Sequence, residues 1–133
     1  MRFDDGSVLV VKLSDTERAD VDRGIFVRVD LPRQVTVADG GIAATALVGR
    51  VAGKILVYAN ICRHNAIPLD ARGGTRLGVM TEDGRNLFCD SHGAVYRPQD
   101  GLCTQGPCEG THLYAFDVRV VGDALRLSLP DPG

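Results

Sequence analysis

The alternation of apolar and polar side chains along the chain predicts short β-strands joined by turns. The strand-like runs span residues 8–13, 25–31, 35–37, 45–51, 54–60, 85–88, 94–96, 113–121 and 124–129. Ala52-Gly53 and Gly122-Asp123 each separate two neighbouring runs, which indicates two hairpins. Pro32 is expected to end the strand that begins at residue 25.

Other segments interrupt the strand pattern. Ser14 and Glu17 form a capping-box pattern before a polar stretch, which predicts a single helical turn. Residues 61–84 and 97–110 are irregular and contain several glycines and prolines. Long loops inside a compact domain are expected where they hold a functional site or an inorganic centre.

Composition supports one domain. The chain has 133 residues, of which 44% are hydrophobic and 24% charged, and it contains 16 Gly, 6 Pro and no Trp. This balance suits short strands better than a helical bundle. We therefore predict an all-β domain over residues 1–133, with antiparallel sheets arranged as a sandwich or partial barrel. A subdomain of about residues 61–113 is expected between an N-terminal strand set and a closing hairpin.

Charge and hydropathy exclude several partners. The 17 acidic residues outnumber the 15 basic ones, giving a net charge of -2, whereas nucleic-acid binding needs clustered positive charge. No segment approaches the length of a membrane span, and Asp4 and Asp5 stand where a secretory signal would carry positive charge. A cytoplasmic protein with reduced cysteines is expected, which favours metal-binding or catalytic roles for them.

Two short motifs combine cysteine with histidine. Cys62 precedes His64 by two residues, and Cys89 precedes His92 by three, each at the end of a predicted strand. Two thiolates and two imidazoles can hold either one tetrahedral zinc or a [2Fe-2S] cluster. The spacing favours the cluster, because zinc modules usually open with two cysteines two to four residues apart. A zinc-binding structural or scaffolding module remains the alternative.

Over about residues 51–129, these motifs resemble the Rieske family of [2Fe-2S] proteins. His92-Gly93 followed by Ala94-Val95-Tyr96 is similar to the family's second cluster loop, and Gly106-Pro107 to its proline-containing loop. The resemblance implies a Rieske-like fold whose subdomain binds the cluster. It also implies that Cys62 and Cys89 hold the inner iron, that His64 and His92 hold the outer iron, and that Tyr96 and Pro107 lie beside the cluster. The 24 residues between His64 and Cys89 are more than compact Rieske ferredoxins have.

The resemblance further implies an electron carrier of the Rieske-type ferredoxin class without a catalytic site of its own. A reductase would donate the electron, and a separate oxygenase or reductase component would accept it. Such clusters have potentials of about -150 to +300 mV. Ala94 replaces a serine that donates to the cluster in high-potential relatives, so we expect a value in the lower half of this range.

The remaining candidate residues have several interpretations. Cys103 and Cys108 are interpreted as buried reduced thiols, as a local disulfide, or as alternative metal ligands. His112 is expected to be a surface histidine. Asp70 and Asp90 flank the cluster motifs and either tune the cluster, contact a partner or, as loop carboxylates usually are, are simply solvated.

Overall fold

A computed structural model describes residues 8–37, 40–63 and 66–129. Its helix and strands are β1 (Leu9–Lys12), α1 (Asp15–Asp22), β2 (Val27–Thr36), β3 (Ile42–Val51), β4 (Lys54–Ala59), β5 (Leu87–Phe88), β6 (Val95–Tyr96), β7 (Cys103–Gln105), β8 (Asp117–Val121) and β9 (Ala124–Ser128). Three antiparallel sheets form, with strand orders β1-β9-β8, β2-β3-β4 and β5-β6-β7. The predicted all-β antiparallel class is confirmed.

Local turn chemistry explains the two hairpins. Ala52 and Gly53, between β3 and β4, have φ values of 52° and 82°. Positive φ at both central residues is the requirement of the type I′ turn, whose twist matches that of the flanking strands. Gly122 also has positive φ, at 60°, between β8 and β9. Both predicted hairpins are present.

Two segments differ from the predicted elements. Pro32 does not end its strand, because β2 runs to Thr36 and the pairing with β3 is irregular between Asp30 and Val35. An irregular register accommodates a proline, which has no N–H to donate to the ladder. The capping box is followed by an eight-residue helix rather than one turn: Ser14 Oγ accepts from the Glu17 N–H, and Glu17 accepts from the Ser14 N–H.

The apolar side chains form two cores. The first joins the sheets β1-β9-β8 and β2-β3-β4, and it includes Val21 of α1. The second packs β5, β6 and their long loops against Phe26, Leu47 and Tyr58, on the face of β2-β3-β4 opposite to the first core. No helix in the described part of the chain is long and apolar enough to cross a membrane. The second core contains all four cysteines.

Candidate metal centre

Two cysteine thiols meet at the base of the second core. Cys62 lies three residues beyond the end of β4, and Cys89 directly follows β5. Both are fully buried, and their side chains are hydrogen-bonded to each other. The structure therefore brings together one cysteine from each Cys/His motif.

The first loop, which follows β4 and carries Cys62, is held by a buried amide. Asn60, only 1% exposed, accepts a 2.8 Å hydrogen bond from the Leu69 N–H and donates to Thr45 and Asp70 at 3.0 and 3.2 Å. Within the loop, the Cys62 N–H donates to the Ile67 carbonyl at 2.6 Å. Leaving any of these buried groups unpaired would cost about 1–3 kcal/mol, so Asn60 fixes the start of the loop.

The second loop, residues 89–94 between β5 and β6, is a tight turn. The Cys89 N–H donates to the Ala94 carbonyl and the Gly93 N–H to the Cys89 carbonyl, both at 2.9 Å. The Asp90 carboxylate accepts the backbone N–H groups of Arg72 and Gly74, the latter at 2.7 Å. Asp90 thus ties the long 66–86 segment to the cysteine turn.

The expectation that Asp70 and Asp90 are merely solvated is wrong. Asp70 is 12% exposed, pairs with Arg28 at 3.0 Å and accepts from Asn60. Asp90 is half-buried and accepts backbone donors. Both carboxylates therefore organise the loops that carry the thiols.

Burial and hydrogen bonding set the charge state of the thiols. The pKa of the Cys89 thiol is raised, first by its hydrogen bond with Cys62 and then by burial, which penalises the thiolate. Hydrogen bonds from the backbone of Ser91 and His92 act in the opposite direction. Cys89 is therefore a neutral thiol when no cation is bound, whereas coordination by a metal ion deprotonates such a thiol.

Tyr96 connects the pair to a third loop, residues 106–112, which follows β7. Its hydroxyl lies 3.4 Å from Cys62 Sγ and 3.1 Å from Cys108 Sγ, and it accepts the Arg63 N–H at 3.1 Å. The pKa of Tyr96 is raised above its usual range by burial first and then by its contacts with Cys108 and Cys62. The phenol therefore stays protonated and keeps one O–H to donate.

The third loop closes over the second. Gly106 has a φ of 106°, and a Cβ there would lie 2.8 Å from Cα of Ala94. Only glycine allows this approach, and the neighbouring Pro107 is exposed. Arg63 joins the first loop to the end of the third by donating to the His112 carbonyl at 2.6 Å and stacking 4.5 Å from the Tyr114 ring centroid.

The structure describes two of the three histidines, one of which is a predicted ligand. His92 is exposed beside Cys89, His112 is exposed as predicted, and His64 lies outside the described residues. Among the residues that the structure describes, no group of three or more His, Cys, Asp or Glu side chains is placed to hold a metal ion. The described part of the site is thus the buried pair of Cys62 and Cys89.

The chemistry of these donors fits an iron-sulfur centre. Two adjacent buried thiols supply soft ligands, and hydrogen bonds from a phenol and from backbone N–H groups reach the sulfurs. Donors of this kind stabilise the negative charge of a cluster and its thiolates. The sequence analysis did not identify Asn60 and Arg63 as part of the site, because no periodicity or motif distinguishes their roles from those of ordinary polar residues.

A family comparison agrees with this chemistry. The sequence model described as the Rieske [2Fe-2S] domain matches residues 9–122. No curated protein sequence matches the chain.

Solved structures share the fold. The ferredoxin of carbazole 1,9a-dioxygenase from Nocardioides aromaticivorans IC177 aligns with a TM-score of 0.55 and 19% identity, over 91% of this chain and 98% of the ferredoxin. A complex of reduced oxygenase and oxidised ferredoxin in carbazole 1,9a-dioxygenase gives 0.53 and 20%, over 90% of this chain and 92% of that chain.

Larger proteins contain the same fold. The terminal oxygenase of carbazole 1,9a-dioxygenase from Novosphingobium sp. KA1 aligns with a TM-score of 0.59 and 20% identity, over 95% of this chain. The chain spans only 30% of that oxygenase, and 29% of the matched chain in a carbazole-bound oxygenase and ferredoxin complex. At identities this low, the alignments establish only that the folds are alike.

Proposed function

The chain belongs to the Rieske [2Fe-2S] domain family, and on this premise we propose that it is a one-electron carrier whose cluster is held by Cys62, His64, Cys89 and His92. The family's cofactor is a [2Fe-2S] cluster. The observation that carries the ligand proposal is the buried contact between the Cys62 and Cys89 side chains. Each of these thiols belongs to a motif that also supplies a histidine.

When bound, the cluster accepts one electron and returns it. The chain's residues determine how readily this happens: the second core excludes water from Cys62 and Cys89, and the Tyr96 O–H and the backbone donors at Cys89 stabilise the more negative reduced state. As a proposed ligand, exposed His92 would hold a bound cluster close to the surface and so would shorten the path of the electron.

We further propose that a reductase supplies the electron and that a separate oxygenase or reductase component receives it. The supporting observation is that a structural neighbour is a ferredoxin in complex with an oxygenase. The 133 residues do not offer an oxygenase's own iron site, which needs two histidines and a carboxylate, because His112 alone remains once His64 and His92 are assigned. We also propose a cytoplasmic location, because a reducing compartment keeps the four buried cysteines as thiols.

The decisive experiment measures iron, acid-labile sulfide and zinc in the anaerobically purified protein and records its electron paramagnetic resonance spectrum after reduction by dithionite. We expect two irons and two sulfides per chain with a Rieske-type signal. Cys62→Ser and Cys89→Ser should each lose the cluster, while His112→Ala, the matched histidine control, should keep it. One zinc per chain without this signal would contradict the electron-carrier proposal and support the zinc-binding structural module instead.

A further inference from the structure

Cys103 and Cys108 form a second thiol pair beside the first. Their Sγ atoms lie 3.3 Å apart, and neither is among the residues proposed as cluster ligands. Cys103 belongs to β7, whereas Cys108 lies in the turn that follows Gly106 and Pro107. Since the sequence separation is five residues, one short loop brings both sulfurs together.

The two thiols differ in access. Cys103 is 1% exposed and Cys108 is 8% exposed, and Cys108 is flanked by exposed residues from 104 to 107 and from 109 to 110. Burial, followed by the contact with Cys108, raises the pKa of Cys103 to about 12. A reagent in solution therefore meets Cys108 first.

We propose that Cys103 and Cys108 are a reversible disulfide site, oxidised by small-molecule disulfides through initial attack by Cys108. The Cys108 sulfur bonds to one sulfur of the reagent, the reagent's S–S bond breaks, and one thiol leaves. The Cys103 sulfur then bonds to Cys108 Sγ and displaces the second thiol. The two protons of the cysteines leave on the two released thiols, and the two electrons pass from the cysteine pair to the reagent.

Hydrogen bonding connects this pair to the proposed cluster ligand. The Cys103 S–H donates to the Gln105 carbonyl at 3.1 Å, and the Cys108 S–H donates to Cys103 Sγ. Cys108 Sγ is then an acceptor for Tyr96, whose single O–H lies between Cys108 and Cys62. The two sulfurs compete for one proton.

Disulfide formation changes this competition. Bonding to Cys103 turns Cys108 Sγ away from its reduced-state position and makes it a poorer acceptor, so the Tyr96 O–H is left to donate to Cys62. A stronger hydrogen bond to a cluster sulfur favours the reduced cluster. The midpoint potential should therefore rise when the disulfide forms. The expected rise of the midpoint potential rests on the proposed function, whereas the disulfide site itself does not.

The test uses the full-length, cluster-loaded protein equilibrated anaerobically in glutathione buffers of increasing oxidised fraction. Thiols are then trapped with an alkylating agent under denaturing conditions and counted by mass spectrometry. We expect four alkylated cysteines in the reduced buffers and two in the oxidised ones, with the Cys103 and Cys108 peptide lighter by two hydrogen atoms. Four alkylated cysteines under every condition, or a different disulfide, would overturn the site.

Two variants test the order of the steps. Cys103→Ser should stop at a glutathione adduct on Cys108, because the second thiol is missing, and Cys108→Ser should form no adduct on buried Cys103. An adduct on Cys103 in the second variant would contradict the initial attack by Cys108.

Voltammetry of the wild-type protein in its thiol and disulfide forms tests the connection to the cluster. A higher midpoint in the disulfide form is expected, with no such shift between the same buffers for Cys108→Ser, which forms neither an adduct nor a disulfide. Equal midpoints in the two forms would overturn the connection to the cluster but not the disulfide site. If the purified protein contained no iron, the proposed function would be contradicted, and the thiol count would still decide whether the disulfide forms.

Discussion

The hydroxyl of Tyr96 makes contacts at the site that its position in the sequence motif does not predict. One hydroxyl contacts Cys62, Cys108 and the Arg63 N–H, so it joins all three loops at a single oxygen. Because burial keeps it protonated, the hydroxyl acts as a fixed donor rather than a titrating group over the neutral range. Its effect on the cluster is therefore electrostatic and can be isolated by removing one atom.

Tyr96→Phe should lower the midpoint potential of the cluster by roughly 40 mV. Loss of one hydrogen bond of about 1 kcal/mol from the reduced state corresponds to this shift for a one-electron couple. Protein-film voltammetry measures it. Tyr58→Phe is the matched control, since the Tyr58 hydroxyl donates to the Pro98 carbonyl at 2.7 Å and not to a cysteine. Equal shifts in the two variants would show that the Tyr96 contact does not set the potential.

Among the elements, those governed by local chemistry were predicted from the sequence. The hairpins follow from Ala52-Gly53 and Gly122-Asp123, and the helix start from Ser14 and Glu17, because turns and caps depend on neighbouring residues. The three-residue strand β7 was not predicted, since its pairing with β6 arises from how the loops pack.

The site shows the same division. Cys62 and Cys89 were identified by their spacing from histidines, and the structure brings their side chains together. The supporting contacts of Asn60, Asp90 and Arg63 were not identified, because each reaches residues that are distant in the sequence or depends on a loop conformation. A single polar residue at the end of a strand or in a loop carries no sequence signal of such a partner.

The third loop requires glycine at position 106, where a side chain would meet Ala94, whereas Gly110 in the same loop faces open space. Gly106→Ala should destabilise the protein by about 2 kcal/mol or more, because its Cβ would lie 2.8 Å from Ala94 Cα at a φ of 106°. Gly110→Ala is the control: its φ is 91°, but a Cβ there meets nothing within 4 Å, so only backbone strain of about 1 kcal/mol is expected. Denaturant unfolding compares the two, and equal losses would mean that the Ala94 contact is unimportant.

Across the whole molecule, stability is divided between two cores of different construction. The first core lies between sheets whose strands have four to ten residues. The second contains strands of only two or three residues and long loops, together with Cys62 and Cys89. Regions with few ladder hydrogen bonds open at lower free energy, and a bound metal centre adds its binding energy to the folding of the region that holds it.

Removal of iron by a chelator should therefore loosen the second core selectively. Amide hydrogen exchange in residues 66–113 should accelerate by at least tenfold, equivalent to a loss of about 1.4 kcal/mol of local stability, while amides of β1, β2, β3, β8 and β9 change less. Hydrogen exchange with mass spectrometry of the loaded and iron-free proteins measures both regions at once. A uniform acceleration over both cores would instead indicate one cooperative unit, in which the centre stabilises the long strands as strongly as the loops around Cys62 and Cys89.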